Sequence, residues 1–169
     1  MPAKPLRNFR SYAAMEALNI VLVPCAVLLL APPSSWAEIL AMGLAMASCA
    51  GFLLVGAAYW AGLDQRLTRS NRSALTKALA LADRLEIPLL LITGAALPML
   101  AFAIHKGGWS WSVTGAAILT LLAALEYVNY YHRQLQHFDR SSDFKRLMTG
   151  GGFRRSHMAR DLAAYRRER

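Results

Sequence analysis

Apolar residues fall into four blocks, each roughly 20 residues long: about Ala13 to Ala31, Ile39 to Leu63, Leu85 to Ile104, and Trp109 to Tyr131. About 20 residues at a rise near 1.5 Å match the roughly 30 Å of a bilayer's hydrocarbon core. The pattern predicts an all-α integral membrane bundle of four transmembrane helices. Between the second and third blocks, residues 64–84 read DQRLTRSNRSALTKALALADR. Past the possible caps Ser70 and Asn71, helix formers place Leu75, Ala78, Leu79, Ala82 and Leu85 near one face, which predicts a helical loop running into the third span. Pro88 and Pro98 remove backbone donors from that helix and favour bends.

After Asp139 the pattern weakens. Two short helices are expected, about Ser142 to Met148 and Ser156 to Arg167, separated by Gly150, Gly151 and Gly152. In the second, Met158, Leu162 and Tyr165 share a face flanked by arginines, a pattern suited to a helix lying on a membrane surface, with a disordered tail or one docked on a partner protein as the alternatives. Residues 1–138 are thus read as the four-helix transmembrane domain and 139–169 as a basic tail.

Composition agrees: 56% hydrophobic residues exceed the roughly 45 to 50% usual for soluble domains. A basic start containing Lys4, Arg7 and Arg10 ahead of an apolar run also fits a signal peptide, but Glu16 and Asn19 interrupt that run and no convincing small-x-small cleavage site precedes the next helix. Cys25 and Cys49 fall in separate antiparallel spans at different depths, so no disulfide is expected.

Charge sets the expected orientation. Of 19 Lys and Arg, three precede the first block, five lie between the second and third, ten follow the fourth, and Lys106 lies alone in another loop. By the positive-inside rule both termini and the middle loop face the cytoplasm, as in a bacterial inner membrane. Trp36, Trp109 and Trp111 then mark one interface, and Tyr59, Trp60, Tyr127, Tyr130 and Tyr131 the other. The formal net charge of +9 belongs to the cytoplasmic face, where each basic residue near anionic lipid contributes about 1 kcal/mol. No zinc spacing or nucleic-acid-binding module accompanies the charge, so nucleic acid is not expected as a partner. Gly43, Ala47 and Gly51 form a small-residue row for close helix approach, within the chain or with another copy in a homo-oligomer.

Polar residues inside the spans are the candidate chemistry. Glu16 and Asn19 lie early in the first span, Glu86 with Asp83 at the start of the third, and Glu126 with Asn129 late in the fourth. At about 100° per residue, Glu126, Asn129, Tyr130, Arg133 and His137 share one side of the fourth helix. If these sides face inward, they line a polar cavity open to the cytoplasm. Three readings follow. The residues satisfy one another and fix helix register; they form the cation or proton site of a small transporter; or they bind a metal and catalyse. The third is disfavoured because the Glu-x-x-His pattern of bundle metal sites is missing, since Asn129 follows Glu126, and His132 and His137 lie about 140° apart. No HExxH, GxSxG or phosphate-loop pattern occurs, and no cofactor is implied. The expected function is a membrane accessory, scaffold or assembly protein that engages anionic lipid or a protein partner through its basic face. The runner-up is a proton- or cation-coupled transporter or channel using Glu16, Asn19, Glu86, Glu126 and Asn129.

Overall fold

The computed structural model describes residues 9–135 and 153–169. Its helices are α1 (Phe9–Leu30), α2 (Trp36–Arg69), α3 (Arg72–Gly107), α4 (Trp111–Tyr127), a π-helical turn (Val128–His132) and α5 (His157–Glu168). Four of them, counting α4 with its π turn, are long and apolar enough to cross a membrane. They run up and down, so the N-terminus of α1, the α2–α3 turn and the end of α4 share one side, here the tail side.

The middle segment is helical almost throughout, and its second part runs on into the third span. α2 continues through Arg69 and α3 begins at Arg72, leaving only Ser70 and Asn71 as the connection. Ser70 makes the turn in the left-handed region at φ 54°, and the Asn71 N–H bonds back to the Gln65 carbonyl at 3.3 Å. With 34 and 36 residues, α2 and α3 are each about 50 Å long, some 20 Å more than the hydrocarbon core requires. On α3 the apolar stretch begins after Glu86, so residues 72–86 form an arm reaching about 20 Å beyond it on the tail side.

Close packing joins the arm. A Cβ on Gly62 would meet the Leu75 Cα at 2.9 Å and the Ala74 carbonyl oxygen at 3.1 Å, so only glycine lets the two backbones approach there. The row Gly43, Ala47, Gly51 divides: Gly51 faces Leu89 of α3, whereas Gly43 has open space and Ala47 is exposed. Leu75, Leu79, Phe52 and Val55 are buried, and the apolar surface of α2 beyond the membrane is covered by α1, α3 and α5. This explains why its apolar block outruns that of α3. At the start of α1, Phe9 and Tyr12 pack on Trp60 with ring centroids 5.7 and 5.6 Å apart.

On the opposite side Glu38 joins two helix starts. Its Oε2 accepts from the Ser34 N–H at 2.7 Å and the Ser34 hydroxyl at 2.9 Å, completing a capping box with Ser35. Its Oε1 accepts from the Ser110 hydroxyl, the N-cap of α4, at 2.5 Å. The carboxylate is buried and lies beside the positive ends of α2 and α4.

Candidate functional site

The tail side holds the polar residues, and a change in helix type at the end of α4 arranges them. The Arg133 N–H bonds to the Val128 carbonyl at 2.7 Å, five residues back, which widens the turn. Tyr130 and Tyr131 both become buried as a result. They were expected as interface anchors; instead their hydroxyls serve interior acceptors. Tyr130 donates to the Glu16 carboxylate at 2.6 Å and Tyr131 to the Ala82 carbonyl at 2.8 Å.

Two groups result. In the first, Glu16 of α1 is buried beneath Tyr130, whose ring occupies the space that a side chain on Gly56 would fill. Glu126 is half-buried and lies near Glu16 and Cys49. Asn129 donates weakly to Glu126 at 3.4 Å, and its Oδ1 accepts from the Leu135 N–H at 2.9 Å, closing the end of the π turn. Asn19, one turn from Glu16, is half-buried. The cavity beside Tyr130, between α2 and the start of α5, has only about 20 Å³, room for a single water.

The second group contains Glu86 and Asp83 on α3, just past the Ala82 carbonyl that accepts from Tyr131. Both carboxylates pair with Arg166 of α5. Its Nε lies 2.6 Å from Asp83, and its other nitrogen bonds to Glu86. Arg169 adds a 3.4 Å contact to Asp83. The hydrogen bond to Glu86 is the main cause that raises Arg166 above its ordinary pKa. The five polar residues singled out from sequence are therefore distributed over two places, with Glu86 apart from Glu16, Asn19, Glu126 and Asn129.

The sequence pattern missed α5's partner. The settings expected for this helix were a membrane surface, a disordered tail or a partner protein; in the structure its apolar face docks on the chain's own bundle, with Met158 and Leu162 buried. Ser156 is the pivot of that docking. Its hydroxyl caps α5 through the Ala159 N–H at 2.9 Å and donates to the Tyr130 carbonyl, while its N–H bonds to the His132 carbonyl at 3.1 Å. The Gln134 N–H reaches the Arg154 carbonyl at 2.9 Å, pairing the strand-like flanks of α4 and α5. Tyr59, buried on α2, donates to Asp161 of α5 at 2.8 Å. The pairing of Met158, Leu162 and Tyr165 on one face was the available signal, and it could not distinguish lipid from protein as the covering surface. His137 and the expected helix Ser142 to Met148 lie outside the described residues.

Among the described residues no three His, Cys, Asp or Glu side chains converge as metal ligands. Cys25 is exposed on α1 and Cys49 buried on α2, and both are free thiols. The chain matches no family model, and no curated protein or solved structure matches it significantly. What the site defines is a class: a four-helix membrane bundle whose own tail helix closes its polar end.

Proposed function

We propose that the protein is a non-catalytic accessory or scaffold of the bacterial inner membrane, with both termini and the α2–α3 arm in the cytoplasm. Its basic face engages anionic lipid near the membrane and a protein partner farther out. The observation that carries this reading is the arm itself, which projects about 20 Å past Glu86 with α5 latched at its base through Asp83 and Glu86. Such a projection serves no purpose within the bilayer and builds a rigid surface in water. Arg10, Arg84 and Arg133 are exposed near the charged boundary of the spans, within reach of anionic headgroups. Arg66, Arg69, Arg72 and Lys77 stand exposed at the tip, where the surface is available to a partner.

The transporter reading draws on one observation, the buried Glu16 with Glu126 nearby. Against it stands the tight filling of that place: Tyr130 satisfies Glu16 directly, and the adjoining cavity holds about 20 Å³.

Purification of the full chain from its native membrane in mild detergent tests the proposal. A partner retained with Glu126→Gln and lost on truncation after Asp139 is the expected result. Proton uptake by the purified protein in liposomes, abolished by Glu126→Gln, would overturn it in favour of the transporter.

A further inference from the structure

An open groove of about 590 Å³ runs between the α2–α3 arm and α5. On one wall α3 presents Arg72, Leu75, Thr76 and Leu79, spaced i, i+3, i+4, i+7. On the other, α5 presents Asp161, Ala164, Tyr165 and Glu168 at the same spacing. Two helices showing such stripes to a common space form the seat into which a third helix packs its side chains. We propose that this groove binds an acidic amphipathic helix of a partner protein, an inference that rests on the scaffold reading and names its partner's chemistry.

Charge selects an acidic occupant. Three arginines, Arg66, Arg72 and Arg169, line the groove against two carboxylates, Asp161 and Glu168. Among the described residues Arg66 and Arg72 have no ion-pair partner, whereas Arg169 contacts Asp83. The carboxylate of Asp161 on the facing wall already accepts from Tyr59. Leu75 and Leu79 supply an apolar floor, and Ala164 leaves room on the α5 wall. Height excludes a lipid headgroup. The groove spans the levels of Leu79 to Arg72, about 10 to 20 Å beyond Glu86 along α3, whereas headgroups add only about 5 to 8 Å to each face of the hydrocarbon core.

The test uses the full chain in lipid nanodiscs and two synthetic helical peptides. Each carries leucine at i, i+3, i+4 and i+7, flanked by glutamates in one and by lysines in the other. Fluorescence anisotropy should show the glutamate peptide binding the native protein about tenfold or more tightly than the lysine peptide. Arg66→Glu combined with Arg72→Glu should reverse that preference, and Thr76→Trp should weaken both peptides by filling the seat. Equal binding of the two peptides, or an unchanged preference in the double variant, overturns the proposal. So does a photo-cross-link from position 76 to residues 136–152 of the same chain, or a native dimer that the double variant dissociates. A partner that still copurifies with the double variant overturns the groove and leaves the scaffold reading standing; absence of any partner of the native protein removes the scaffold reading itself.

Discussion

Tyr130 gives its phenolic hydrogen to Glu16 at 2.6 Å, joining residues 114 positions apart and tying α1 to the end of α4. The bond depends on two further features. The π turn aims Tyr130 inward, and Gly56 leaves the volume its ring occupies. Ser156 then bonds to the Tyr130 carbonyl, so the same residue carries α5 on its backbone and α1 on its side chain. The tail helix and the first helix, which have few other reasons to be fixed relative to one another, are coupled through this one tyrosine.

Tyr130→Phe should therefore destabilise more than its small change in volume suggests. It removes the donor but leaves the Glu16 carboxyl buried, a loss of about 1 to 3 kcal/mol for an unsatisfied buried polar group. Glu16→Gln keeps an acceptor for the hydroxyl and should cost less. Gly56→Ala places a methyl group in the tyrosine ring and should match or exceed Tyr130→Phe. Thermal unfolding in a single detergent checks the order, which fails if Tyr130→Phe proves the mildest of the three.

Docking of α5 should rest on Met158 more than on its ion pairs. Arg166 binds Asp83 and Glu86, but its side chain is 46% exposed and screened by water, so Arg166→Ala should cost under about 1 kcal/mol. Met158 is 1% exposed, and truncation to alanine leaves a cavity in a packed interface at a cost of about 2 to 5 kcal/mol. Limited proteolysis reads both. Cleavage within residues 157–168 should accelerate markedly in Met158→Ala and only slightly in Arg166→Ala, and high salt should affect only the contribution of Arg166.

Glu38 should prove the most important carboxylate on the opposite side. Glu38→Ala breaks the capping box of α2 and leaves the Ser110 hydroxyl without its acceptor, together about 2 kcal/mol at roughly 1 kcal/mol per cap. Glu38→Gln can still accept from Ser34 with one oxygen and should lose about half as much. Thermal unfolding that ranks Gln below Ala would contradict the double-cap geometry.

The four apolar helices were legible because their signal is local and additive: a run such as Leu85 to Ile104 announces its environment without reference to any other segment. Even the α5 boundary was readable, since Ser156 caps a helix whichever surface it meets. What sequence left hidden depends on pairing. The helix of the arm and its apolar face with Leu75 and Leu79 were readable from spacing; that α2 extends to Arg69 and packs Gly62 against Leu75 was not, because that contact exists only once the two helices pair. Regular helical spacing put Glu126 and Tyr130 on one side correctly. It gave no hint that a π turn would bury Tyr131 as well, because the extra backbone width is set by the carbonyls and side chains it meets. Glu86 was grouped with Glu16 by depth in the membrane, and depth carries no information about which partner each carboxylate meets: Glu16 takes Tyr130 and Glu86 takes Arg166 of α5.

Membrane topology provides the remaining prediction, and the fold makes it sharp. Because only Ser70 and Asn71 join two antiparallel helices, the arm cannot be on one side of the bilayer while α5 is on the other; Arg166 grips Asp83 and Glu86 directly. Cys25 and Cys49 are first replaced by alanine so that each variant carries a single thiol. Single cysteines introduced at Ser70 and Arg169 should then both resist a membrane-impermeant maleimide in intact cells and react after permeabilisation. Cysteines at Ser34 and His105, at the connections of the opposite side, should react in intact cells. Labelling of Ser70 and Arg169 from opposite faces would break the contact between α5 and the arm, and with it the groove, the scaffold surface and the closure of the polar end.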